Sequence, residues 1–160
     1  MYTYAVPQVD RVSFVSLVQT DVLHAEVVHT SQLRARVEQC LHSREPLAIV
    51  QAVSEYLPYL LGLYDCVLRD TILLRDDVHL TWHSMLVSSK FRLHGLLSEV
   101  CLMHMLYASS LRAEAATIVE ALGAYELGAH DRKACDDRLR VAIDLLCRAS
   151  GCLLYTSPSP

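Results

Sequence analysis

Residues 89–122 place Leu93, Leu97, Val100, Tyr107, Leu111, Ile118 and Leu122 at helical spacing with no proline among them. This run constrains the fold more than any other feature of the chain. It predicts one long helix, which Gly95 weakens by only about 1 kcal/mol. The middle of that helix, residues 100–108, is apolar on nearly every side, so it requires packing partners on more than one flank. A chain built this way has a central helix with other helices laid against it.

The flanking sequence supplies them. Residues 21–42 predict a helix with Val27, Leu33, Val37 and Leu41 on one face, Arg34, Arg36 and Glu38 elsewhere, and a break near Thr30. Pro46 suits a first helical turn and opens a helix through Val50, Val53, Leu57, Leu61, Tyr64 and Leu68. Pro58 falls inside it, which predicts a kink or short break around residues 54–57. Residues 69–79 lose the period and read as a connection, and residues 80–86 as a short helix containing Trp82. After a turn with Gly123 and Gly128, a final helix starts near Asp131, a residue type that caps helices well. Its polar face alternates Arg132, Asp136, Arg140, Asp144 and Arg148, and its apolar stripe is Cys135, Leu139, Ala142, Ile143 and Leu146. Residues 12–18 alternate in the manner of a strand. The fold class that follows is all-α with at most a short N-terminal strand, arranged as antiparallel hairpins packed side by side.

With 160 residues, 52% of them hydrophobic and 20% charged, the chain has ample material for a core. Its 14 Lys and Arg are dispersed among 18 Asp and Glu for a net charge of −4, so no basic stripe is available for phosphate, and nucleic acid is not an expected partner. Cys40, Cys66, Cys101, Cys135, Cys147 and Cys152 form no C-x-x-C pair and lie in apolar helical patterns, which suits reduced, buried thiols in a cytosolic protein. No charged-then-apolar leader opens the sequence. The window 100–111 falls short of the roughly 20 apolar residues a bilayer span requires, and Glu99 and Arg112 flank it. Residues 152–160, CLLYTSPSP, match one reading frame of a transposase sequencing adapter. They are expected to be adapter-derived rather than natural, with the natural chain continuing past Gly151. The expected organisation is an N-terminal segment over residues 1–20, a partial helical domain over 21–151 and that tail over 152–160.

Few residues suggest chemistry. His79 and His83 are one helical turn apart, a separation at which two imidazoles can share a metal, but HLTWH lacks the glutamate of an HExxH site. Cys101 and His104 could pair as nucleophile and base, yet both fall in the most apolar helix, where a thiolate is costly, so core packing is the expected role. Asp76 and Asp77 read as helix caps rather than an acid–base pair. No GxxxxGK[ST], GxGxxG or GxSxG occurs. Trp82 and Tyr107 could mark a partner groove, and packing between helices is the expected role of each. Ala108, Ser109 and Ser110 would let helices approach closely. No catalytic, cofactor or metal residue is assigned, and no enzymatic activity is expected.

Four segments read in order carry a family resemblance: YLPYLLGLYDCV (residues 56–67), LTWHSML (80–86), SEVCLMHMLYASSLRAEA (98–115) and ACDDRLRVAIDLLCRASG (134–151). They resemble successive parts of the BRO-one domain of Alix-type membrane-sorting adaptors. Trp82 would match the family tryptophan, Glu99 the glutamate of its long helix, and Ala149, Ser150 and Gly151 its small triplet. Val100 stands where the family has lysine, His104 and Met105 stand near its Phe-Asn, and Leu145 and Leu146 near its Phe-Gln, so the likeness is one of order and pattern over about residues 32–151. The resemblance implies a curved stack of helical hairpins, similar to tetratricopeptide arrays, that recruits other proteins and performs no chemistry. It implies a partner of the third ESCRT complex, bound as an amphipathic helix in an apolar groove, with no transmembrane span, a cytoplasmic location and peripheral association with endosomes. In the family that groove follows the last of these segments, so no binding residue carries over. The Rho-binding rhophilin branch, a generic helical-repeat adaptor, and a metal- or thiol-dependent enzyme using His79 with His83 or Cys101 with His104 are the alternatives. A chain ending at residue 151 is expected to leave Leu139, Ile143 and Leu146 without a covering helix.

Overall fold

The computed structural model describes residues 8–9, 12–19, 23–75, 78–83, 90–123 and 132–156. Four long helices carry the architecture: α2 (His24–Ser43), α3 (Pro46–Leu68), α4 (Leu96–Gly123) and α5 (Arg132–Thr156). Each packs against the next in sequence, α2 on α3, α3 on α4 and α4 on α5, as expected of antiparallel hairpins joined in series. The all-α class holds, with short antiparallel strand pairs added to it.

Helix α2 buries Val27, Thr30, Arg34, Val37 and Leu41, a 3-4-3-4 spacing that places Arg34 on the inner face rather than away from it. The expected break near Thr30 is missing because the hydroxyl of Thr30 donates to the Glu26 carbonyl at 2.7 Å and that of Ser31 to Val27 at 3.0 Å, local bonds that leave the helix intact. Arg44, with φ 57, ends it in the left-handed region. Helix α3 starts at Pro46 and runs unbroken through Pro58. Pro58 is exposed, and Tyr56 and Leu60 anchor the buried face on either side of it, so the lost backbone donor lies toward water.

Strands form where helix was expected at two places. Residues 80–86 were expected to be helical, but β4 (His79–His83) is extended and pairs with β5 (Lys90–His94), which takes the first residues of the expected long helix. Leu80 is buried and His79 exposed, the alternation of a strand with one covered face. Gly95, at φ +82, turns the chain from β5 into α4; its N–H donates to the Val78 carbonyl at 2.9 Å. The N-terminal segment is also tied in: β1 (Gln8–Val9) adds to the β4–β5 hairpin, and β2 (Val18–Gln19) pairs with β3 (Leu73–Leu74). In place of the single strand expected over residues 12–18 stands one helical turn, α1 (Phe14–Leu17), followed by β2; Phe14 is fully buried and its N–H donates to the Ser31 hydroxyl at 3.0 Å.

The main core lies among α2, α3 and the first half of α4, centred on Val37, Ile49, Val53, Leu60, Met103 and Leu106. A second, small-residue core joins α4 to α5 through Ala108, Leu111, Ala115, Ala142, Leu145 and Ala149. Helix α4 thus has partners on two flanks, as its apolar middle required. Helix α5 continues through residues 152–156 of the adapter-matching segment.

A Cβ at Gly95 would meet no atom within 4 Å, so substitution there tests backbone conformation alone. Gly95→Ala should destabilise the fold by about 1–2 kcal/mol in urea unfolding, since an L-residue in the left-handed region carries that penalty. Leu97→Ala, at an exposed position two residues on, should shift stability by no more than about 0.5 kcal/mol.

Candidate functional site

The most polar feature of the interior is a three-helix network. Arg34 of α2 and Glu99 of α4, 1% and 0% exposed, meet with Nε and Oε1 at 2.5 Å, and the hydroxyl of Tyr56 on α3 donates to the same carboxylate oxygen at 3.3 Å. Burial raises the Tyr56 hydroxyl well above its ordinary value, the Glu99 carboxylate adds to the rise through its charge, Arg34 opposes it, and the bond to Glu99 raises it further. The tyrosine is therefore a neutral donor. Buried beside the main core, the network stitches the three helices together. Glu99 is the residue matched to the family glutamate, and its partners Arg34 and Tyr56 were not singled out in the sequence.

The sequence candidates are dispersed. On a strand, residues four apart are about 13 Å apart along the backbone, so His79 and His83 cannot share an ion as the helical reading allowed. His79 instead faces His94 across the β4–β5 ladder, Nδ1 to Nδ1 at 2.8 Å. Cys101 is exposed and His104 half-buried, which corrects the expectation of a packed core pair; the Nδ1–H of His104 is given to the Val100 carbonyl at 2.8 Å. Asp76, Asp77 and Asp131 lie outside the described residues, as does the side chain of Trp82, whose backbone pairs with Val9 and Phe91 in the sheet. Tyr107 packs between helices, and its hydroxyl accepts from Arg148 of α5 at 2.5 Å. None of the six cysteines is in a disulfide; Cys101 and Cys147 are exposed and the others half-buried, so none is the sealed core thiol expected. Among the described residues no three His, Cys, Asp or Glu converge as a metal cluster. A cavity of about 240 Å³ between α2 and α3, lined by Leu23, Val27, Tyr59, Leu63 and Ile72, is apolar and smaller than ordinary ligand pockets.

On helix α5 the expected exposure of Leu139, Ile143 and Leu146 is found, and of the predicted stripe Ala142 is the buried member. Ala142, Leu145 and Ala149 face α4, whereas Leu139, Ile143, Leu146 and Leu153, spaced 4, 3 and 7 residues apart, stand 41–59% exposed. The expected i, i+4 charge ladder is replaced among the described residues by an Arg140–Asp137 pair at 3.8 Å and the Arg148–Tyr107 bond. The open apolar stripe is the surface on which another helix would fit. Helix α3 is long and apolar enough by composition to cross a membrane, but its inner face is buried against α2 and α4, which does not show a membrane span.

No family model and no solved structure matches the chain. Among curated proteins, the pH-response regulator protein palC of Cryptococcus neoformans var. neoformans serotype D (strain B-3501A) is 27% identical over 175 aligned residues, covering 94% of this chain and 36% of palC. The chain spans about a third of the length of that relative. The match supports a BRO-like relationship.

Removing one partner of the buried pair strands the other. Glu99→Gln and Arg34→Met should each destabilise by about 3–5 kcal/mol, and Arg34→Met with Glu99→Leu should recover much of the loss in the same denaturant titration. Because Tyr56 keeps its proton to higher pH when folded than the value near 10 of an unfolded tyrosine, its contribution is constant below pH 10 and falls above it by about 1.4 kcal/mol per pH unit. Tyr56→Phe should flatten that alkaline slope by one proton; an unchanged slope would contradict the burial of its hydroxyl.

Proposed function

We propose that the chain acts as a non-catalytic, BRO-type interaction scaffold, a regulatory adaptor that recruits ESCRT-type endosomal sorting machinery by taking up an amphipathic partner helix. The observation that carries this reading is the similarity to a pH-response regulator along 94% of the chain. The architecture is compatible with it: hairpins packed in series, an interior closed by an ion pair, and an apolar stripe open on the outermost helix. A helix is recognised by such a stripe through anchors at i, i+3/i+4 and i+7, the spacing present on α5. The partner is a helical peptide of the third ESCRT complex and the setting a pH-response pathway, with the protein cytoplasmic and peripheral at endosomes.

Fluorescence anisotropy with a labelled amphipathic helix from such a subunit tests this directly. Saturable binding is expected, and Ile143→Glu with Leu146→Glu should weaken it by at least about tenfold, or 1.4 kcal/mol. Failure of the peptide to bind would remove the partner assignment. Binding that ignores both substitutions would move the groove away from α5.

A further inference from the structure

We propose that His79 and His94 form a two-imidazole site for a late first-row divalent cation such as Ni²⁺ or Zn²⁺. The two residues are direct partners in the β4–β5 register, at the end of the hairpin where β5 passes through Gly95 into α4. Both side chains are exposed, their rings stand 85° to one another with centroids 4.7 Å apart, and the Nδ1 atoms are 2.8 Å apart.

That separation is close to what an ion would impose. Two nitrogens bound at about 2.0–2.1 Å and subtending 90–109° at the metal lie roughly 2.9–3.4 Å apart. The observed gap differs from the bite of a shared ion by a few tenths of an ångström. A hydrogen bond between two Nδ1 atoms also requires one donor and one acceptor, so at least one lone pair already points at the other ring. An ion takes the place of the shared proton: the donor ring shifts that proton from Nδ1 to its own Nε2 through water, so that both rings bind as neutral imidazoles through Nδ1 with little movement of either side chain.

The backbone holds the two imidazoles in place. The ladder fixes them as opposite residues, the Gly95 N–H is bonded to the Val78 carbonyl next to His79, and the Ser98 hydroxyl donates to the His94 carbonyl at 2.6 Å. Much of the ordering needed to bring two ligands together is thus provided by the fold. Imidazole favours nickel, copper and zinc over magnesium and calcium, and exposure leaves the remaining coordination positions to water. Two protein ligands make an exchangeable site rather than a closed structural one. Bound metal would clip β4 to β5 beside the first turn of α4.

The test uses the full reduced chain. Titrated Ni²⁺ should raise the melting temperature, and zinc should shift the ring-nitrogen NMR signals of two of the eight histidines. His79→Ala and His94→Ala, and His79→Gln as a volume-keeping variant, should each weaken Ni²⁺ binding by at least about tenfold, since even outer-shell changes cost that much at metal sites. His83→Ala should leave binding within about twofold, because its strand position sets it too far from His79 to share the ion. The proposal is overturned if wild-type protein binds no Ni²⁺ at sub-millimolar concentration, if binding persists in His79→Ala or His94→Ala through the cysteines, or if His83→Ala abolishes it equally.

Discussion

A charged pair sealed among three helices governs the arrangement of the rest. Arg34 and Glu99 are 65 positions apart in sequence and almost wholly excluded from water, with Tyr56 bonded to the same oxygen. Leaving either charge unmatched in such surroundings is so unfavourable that α2 and α4 can rotate or slide relative to each other only while the pair survives. Apolar contacts such as Ile49 with its neighbours would tolerate several registers of similar area. The pair therefore selects a register more than it deepens stability, and Tyr56 brings α3 into the same choice.

Beyond that network the packing changes character. Around the ion pair the buried residues are large, Met103, Leu106, Ile49 and Leu60, whereas at the α4–α5 contact they are chiefly alanines. Small side chains on facing helices allow close approach and cover little area, so α5 is held by proximity, Leu111 and Leu145, and the Arg148–Tyr107 bond. A helix attached this way retains a second apolar stripe. The cavity between α2 and α3 is lined mostly by apolar side chains, with Glu26, Thr30 and Tyr59 also in its wall.

The long helical periods were legible because each satisfied itself locally, and α2, α3, α4 and α5 lie close to where their stripes placed them. Misreadings arose where a residue's class hid its environment. Arg34, being charged, reads as lying off the apolar face, although Val27, Thr30, Arg34, Val37 and Leu41 share one 3-4 phase, and that phase is the available signal. On α5 the larger residues Leu139, Ile143 and Leu146 stand uncovered, as expected, while the alanines and Leu145 carry the contact to a face of α4 that presents alanines of its own. Pattern alone identifies an apolar face, but the size of the partner's side chains decides which edge of it is buried. No local signal linked Glu99 to Tyr56, whose proximity depends on the whole helix order.

Residues 79–94 show the opposite balance. Leu93 is in phase with the helix that follows, and HLTWH can be read at helical spacing, yet both segments are extended. Thr81, Trp82 and Phe91 favour strand, and Gly95 at φ +82 interrupts the helical phase before α4 can extend backwards. Once β4 and β5 pair, β1 gains an edge to join, which draws Gln8 and Val9 onto the connection between α3 and α4. The same pairing exchanges the neighbour of His79. A helix would have set it one turn from His83; the antiparallel β4–β5 pairing sets it against His94. Secondary structure thus decides which imidazoles meet, and the chemistry open to this surface follows from a strand that helical periodicity concealed.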